Sequence, residues 1–158
     1  MSAETLTSAP EASSPEVSVT LLYLVKQVEL AIRSRLDDVV AEHGITTIQY
    51  TAMTVLERHP GMISAQLARN SFVRAQSMAQ LVDALEARGL VERTRDPSSR
   101  RQMLISLTAH GRDLLDRMRA PVDRIEAEMT AALTGPQRDM FADALRAARV
   151  ALAGDHVH

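Results

Sequence analysis

Residues 64–107, SAQLARNSFVRAQSMAQLVDALEARGLVERTRDPSSRRQMLISL, constrain this chain more than any other stretch. Their pattern predicts helix, turn, helix, strand, charged loop and strand. Ser64 is placed to cap a short helix, because its hydroxyl accepts from the free N–H groups of a first turn. Ala65, Leu67 and Ala68 give that helix a small apolar face. A second helix is predicted from about Ala75 to Arg88, since Met78, Leu81, Val82 and Leu85 repeat at the spacing of one buried face. Gly89 follows, suited to the left-handed position past a helix end. Leu90-Val91-Glu92-Arg93 and Met103-Leu104-Ile105-Ser106-Leu107 read as two short strands. The stretch between them, Thr94 to Arg101, holds a Pro and two Ser that mark a turn and arginines that make it basic.

Two helices joined by a tight turn and followed by a basic hairpin form a winged helix-turn-helix. A helix of this size enters a DNA major groove, and such a hairpin reaches the neighbouring backbone or minor groove. The exposed face of the second helix would carry Arg74, Gln76, Ser77 and Gln80, donors and acceptors suited to base edges and phosphates. On that reading Gln76, Ser77 and Gln80 contact bases, while Arg74, Arg95 and Arg100 hold phosphates. The alternative is a solvated helix face beside an ordinary charged hairpin.

The formal net charge of −2 argues against a polyanionic partner until its distribution is considered. Residues 60–107 hold seven arginines against Asp83, Glu86, Glu92 and Asp96, a local balance of +3, so the remainder carries −5. One face then attracts phosphate and the other repels it. With 158 residues the chain is expected to fold as one domain over residues 15–158 after a disordered tail, 1–14. It has no cysteine, which excludes disulfides and thiolate metal sites. No apolar run approaches the roughly 18 residues of a membrane span, nor does the N-terminus look like a signal peptide. A cytoplasmic protein without a membrane partner is expected.

Taken in order, Ser14 with Pro15 opens a helix expected to run to His43, with Gly44 as its stop. Its stripe is Leu21, Val25, Val28, Ile32, Leu36, Val39 and Val40, and residues 19–25, VTLLYLV, are apolar on nearly every side. Such a helix end needs cover from more than one direction, and a second subunit is the expected cover. Thr46 to Gln49 has the form of a capping box and opens a helix through about His59. Met62-Ile63 would add a small strand to the wing. Thr108 caps a long helix with Leu114, Leu115, Met118, Val122, Ile125, Met129 and Leu133 inward and a kink at Pro121. Thr134 to Gln137 is a second capping box, opening a last helix with Phe141, Leu145, Ala148 and Leu152 in register. The fold class is therefore mainly α, a winged helix-turn-helix at about residues 46–107. Dimerisation helices flank it at about 15–43 and 108–153, with Leu21, Leu22, Leu24, Val25, Phe141, Leu145 and Leu152 at the dimer interface.

A long first helix, a capped second helix, the helix-turn-helix, the run LVDALEARGLVERTRDPSSRR and the closing ISLTAHGRDLL together resemble the MarR (multiple antibiotic resistance regulator) family. The resemblance covers roughly residues 17–152 and is most specific from Leu81 to Leu115. It implies a recognition helix in the major groove, a wing at the minor groove, and an intertwined homodimer built from the first, fifth and sixth helices. It also implies a transcription regulator, usually a repressor, on a palindromic operator. Arg101 occupies the place of the family's minor-groove arginine, but Ser99 stands where that arginine's supporting Asp would be, leaving Asp96 as the substitute. In the turn between the helices, Ser71-Phe72-Val73-Arg74 replaces a more usual Leu-Gly-Val-Ser. Loss of that Gly is expected to alter the turn, and Arg74 replaces a capping hydroxyl with a cation.

The resemblance further implies an effector pocket where the first, second and fifth helices meet. Candidate lining is Ile32 and Leu36, Tyr50 and Met53, and Leu114 and Met118, with Arg33 or His110 to receive an anion and Tyr50 to offer a hydroxyl. A small aromatic or phenolic acid suits that mix, although the same residues could equally fill a core. His43 and His110 lie where some family members hold zinc, but no His-x-x-x-His pair accompanies them, and no metal or other cofactor is expected. No Gly-x-Ser-x-Gly, His-Glu-x-x-His or phosphate-cradling loop is present, so catalysis is not expected. A non-specific or architectural DNA binder and a metal-responsive regulator are the alternatives. A local +3 is small for a protein that relies on phosphate contacts alone.

Overall fold

The computed structural model describes residues 19–153. The tail expected at residues 1–14 and the Ser14 cap with Pro15 lie outside them. Helix α1 is Leu21–Ala41. It opens on Thr20, whose extended backbone and hydroxyl cap the N–H of Tyr23 at 3.2 Å. Helix α1 therefore begins at Leu21 rather than at Pro15, and it ends at Ala41, ahead of His43. Gly44 takes φ +68°, and the chain turns there into α2, Thr47–Arg58. The capping box is formed as its residues imply: Thr46 Oγ1 accepts from Gln49 N, and Gln49 Oε1 accepts from Thr46 N.

Helix α3, Ser64–Asn70, departs from expectation at its start. Ile63 holds the extended N-cap conformation, so Ser64 is already helical and its side chain caps nothing. Helix α4, Ala75–Ala87, buries Met78, Leu81, Val82 and Leu85, and Gly89 supplies the left-handed turn after it with φ +68°.

The wing is longer and more regular than its charge suggests. Strand β1, Val91–Asp96, pairs antiparallel with β2, Ser99–Leu107, from Val91 opposite Leu107 to Arg95 opposite Met103, then shifts register to set Asp96 against Ser99. Residues expected as a loop, 94–96 and 99–101, are therefore strand, and only Pro97 and Ser98 remain as the turn. Asp96 Oδ1 makes that turn by accepting from Ser98 N at 2.8 Å and Ser98 Oγ at 2.7 Å, the local bond that suits Asp to turns. Met62 contributes one bridge to Ile105 instead of a third strand.

Helix α5, Ala109–Thr130, is capped by Thr108, whose Oγ1 accepts from Gly111 N at 3.0 Å and donates to the Gly89 carbonyl at 2.6 Å. Pro121 lies inside α5 without ending it. Helix α6, Gly135–Ala153, opens on the second capping box, with Thr134 N donating to Gln137 Oε1 at 2.9 Å.

One core joins α2, α3, α4, the base of the wing and the first half of α5. Met53, Leu56, Leu67, Met78, Leu85, Leu90, Ile105 and Met118 are fully enclosed there. Each such side chain stabilises the fold by about 1.5–3 kcal/mol. Helix α6 and the first half of α1 stand outside this core. Helix α6 packs only lightly against the rest of the chain, and Leu21, Leu22 and Leu152 are 81%, 78% and 86% exposed.

Candidate nucleic-acid interface

Burial of one face of α4 fixes the direction of the other. With Met78, Leu81, Val82 and Leu85 in the core, Gln76, Ser77 and Gln80 all point to solvent. Arg74 is the N-cap of α4, exposed and making no side-chain cap. The first-turn N–H groups thus keep their partial positive charge beside a guanidinium, an arrangement that favours phosphate. Arg95, Arg100 and Arg101 are exposed along the wing. Among the described residues, none of these four arginines has a carboxylate within 4.0 Å.

Two other arginines of the same lobe do different work. Arg93 pairs with Asp83 at 2.6 Å and with Glu86, residues on neighbouring turns of α4, and so ties the wing to the recognition helix. Its hydrogen bond to Asp83 holds the guanidinium still more firmly protonated. Arg88 donates to the carbonyls of Gly44 at 2.5 Å and His43 at 3.0 Å, anchoring the far end of α4 to the α1–α2 turn. Charge counting along the chain missed both roles. The Asp83/Glu86 spacing facing a strand arginine was the available signal for the first, and none existed for the second.

The proposed support of Arg101 by Asp96 is not formed. Asp96 is engaged by Ser98, whose side-chain and backbone hydrogen bonds hold the carboxyl below its ordinary range. The α3–α4 turn keeps a left-handed residue even without glycine: Phe72 sits at φ +57°. Ser71 beside it is buried, with an Oγ that has no hydrogen-bond partner.

A cavity of about 550 Å³ opens between α1, the start of α2, the end of α5 and α6. Of the expected pocket residues it takes Ile32, Arg33 and Leu36 and leaves out Tyr50, Met53, His110, Leu114 and Met118. Met53, Leu114 and Met118 belong to the enclosed core, and His110 is exposed at the start of α5. Tyr50 is half-buried against that core, and its burial, then the charge of Glu57, pushes the phenol pKa up, so it is a neutral hydroxyl. Leu21, Leu24, Val25, Phe141 and Leu145, expected at a dimer interface, form the cavity's outer walls, while Leu22 and Leu152 lie beyond it. Thr47, Thr51, Val28, Met129 and the carboxylate of Glu29 complete the lining unannounced. Arg33 is its cation, held at 2.6 Å by Glu29, whose carboxyl is lowered by hydrogen bonds from Lys26 and Arg33. Among the described residues no three His, Asp or Glu side chains gather around His43, His110 or anywhere else in a metal-ligating group. No described helix is long and apolar enough to cross a membrane.

The outward-facing helix, the unpaired cation at its start and the paired-strand wing with its unpaired arginines define a winged helix-turn-helix nucleic-acid-binding protein. More narrowly, the chain belongs to the MarR family of transcription regulators, which are not enzymes. The family's model matches residues 43–102. The HTH-type transcriptional repressor Rv2887 of Mycobacterium tuberculosis is 34% identical over 119 residues, covering 75% of this chain and 86% of that protein. Its structure in complex with salicylic acid superposes with a TM-score of 0.66 at 33% identity, over 82% of this chain and 96% of that one. The transcriptional repressor CouR, solved on a 23-mer DNA duplex, is 30% identical with a TM-score of 0.76, over 89% of this chain and all of that one.

Proposed function

We propose that this chain acts as a homodimeric repressor that reads a palindromic operator and is released from it by a small aromatic or phenolic acid. The observation that carries DNA reading is the sorting of the lobe's arginines. Those at the N-terminus of α4 and on the wing are unpaired beside the exposed Gln76, Ser77 and Gln80, while Arg88 and Arg93 are engaged internally. Glutamine suits bidentate pairing with adenine, and the exposed Arg101, in the place of the family's minor-groove arginine, would enter a minor groove flanking the site. Dimerisation is supported by the uncovered apolar faces of α1 and α6. In a two-fold pair they cover one another and set the recognition helices about 34 Å apart, in successive major grooves. Effector control is supported by the cavity beside Arg33, whose apolar walls fit an aromatic ring and whose cation fits a carboxylate. The structure of Rv2887 with salicylic acid gives the same chemical class.

Footprinting on the region beside the protein's own gene, with sedimentation at micromolar concentration, tests the reading. A dimer protecting a short inverted repeat, freed by aromatic acids in wild type but not in Arg33→Ala, is the expected result. A monomer, or protection of no preferred sequence, refutes it.

A further inference from the structure

The α3–α4 turn holds a side chain that the fold does not need. Phe72 is 86% exposed, so its ring packs against little of its own chain. Its backbone sits at φ +57°, a conformation that costs a bulky L-residue energy and glycine none. Stability alone would place glycine here. Strain kept in an exposed aromatic points to a function directed outward.

The neighbourhood says where. A shallow groove of about 490 Å³ runs along α4 from the start of α2, and Phe72 lines it together with Ile48, Val73, Leu81, Ser77 and Gln80. The ring therefore stands over the same surface as two of the residues proposed to read bases, two positions before the Arg74 N-cap. The chemistry of an exposed apolar ring beside a major-groove helix matches one feature of a base pair, the thymine C5-methyl group, which accepts apolar contact.

Resting on the operator-binding reading above, we propose that Phe72 is a specificity-determining residue that contacts a thymine methyl at the edge of each half-site. The ring adds an apolar reading to the polar one made by Gln76, Ser77 and Gln80. The left-handed turn presents the side chain away from the core and toward the groove.

The test uses the full chain and the duplex that wild-type protein enriches from a random pool. Phe72→Gly relieves the backbone strain, so it should melt at or above the wild-type temperature, and lost binding then cannot be laid to misfolding. Its operator affinity should fall about four-fold or more per half-site, the effect of removing one methyl-sized apolar contact, with random-duplex affinity unchanged. Single thymine-to-uracil replacements in the operator should reproduce that loss in wild type at one position per half-site and have no effect there in Phe72→Gly. Equal loss on operator and random DNA, uracil sensitivity that survives in Phe72→Gly, or unchanged operator affinity with altered effector release each overturn the contact. If wild type itself enriches no sequence, the operator reading fails first, and that appears in the wild-type arm before any variant is compared.

Discussion

Gly111 lies in the first turn of α5, where an alanine would ordinarily help a helix by about 0.5–1 kcal/mol. The structure reverses that sign. A Cβ built on Gly111 would lie 2.1 Å from the Leu90 carbonyl oxygen and 3.2 Å from a methyl of Leu107. The first neighbour is backbone and cannot rotate away. That carbonyl also accepts from Thr108 N at 3.1 Å, so moving it loosens the joint that Thr108 makes between α4 and α5. Overpacking of this kind costs about 1–3 kcal/mol, and a strained hydrogen bond about 1 kcal/mol more. Less the helical gain, Gly111→Ala should destabilise by about 2 kcal/mol, a fall in melting temperature of about 4–8 °C for a domain of this size. Thermal and urea unfolding at one fixed protein concentration measure it. Stability equal to or above wild type would show that α5 does not rest on the end of α4 as closely as the structure has it.

Other substitutions separate the remaining parts. Leu24→Asp, placing a carboxylate in the apolar α1 face, should convert a micromolar dimer to monomer in sedimentation, since an unpaired buried charge costs several kcal/mol; an intact dimer would put the interface elsewhere. Arg95→Ala should weaken operator and random duplexes alike and reduce the slope of log affinity against log salt by about two per dimer. Arg93→Ala should lower stability by about 1 kcal/mol, as expected for a partly exposed ion pair, and weaken operator binding with that slope unchanged; a flattened slope would make Arg93 a phosphate contact. Tyr50 has a raised pKa in the fold, so its contribution to stability is present below the ordinary tyrosine value of about 10 and is lost as pH rises through the raised one. In a Tyr23→Phe background, phenolate absorbance appearing at or below that ordinary value would place Tyr50 in solvent.

What could be read from the chain was what short-range chemistry decides. The Thr46/Gln49 and Thr134/Gln137 boxes, the Thr108 cap and the buried face of α4 each depend on residues within a turn or two of one another. Ser64 misled because a serine one position inside a helix looks the same as one at its cap, and the extended Ile63 decides between them. The wing misled through composition. Arg95, Arg100 and Arg101 with Pro97 read as loop, but a two-stranded ribbon exposed on one face satisfies its backbone across the pair whatever its side chains. The cavity was least legible. Met53, Leu114 and Met118 have the same periodicity as Ile32 and Leu36, and only the packing of α5 on α2 sends the first three into the core while α1 leaves the others open.

The arginines show why a chain of net charge −2 is suited to DNA. Arg93 pairs with both Asp83 and Glu86, leaving one negative charge that the carbonyl-held Arg88 offsets, so these four residues together add little to the outer field. Arg69, Arg74, Arg95, Arg100 and Arg101 remain against Glu92 and Asp96, a balance of +3 carried by α3, the start of α4 and the wing. Acids on the outer helices act weakly there, because charges further apart than about 8 Å are largely screened at physiological salt. So small an excess gives weak attraction to DNA of any sequence. On the proposed reading, selectivity then falls to a short row of side chains: Gln76, Ser77 and Gln80 by hydrogen bonds and Phe72 by apolar contact. A repressor built this way loses its operator when one of those residues is removed, well before it loses its affinity for DNA in general.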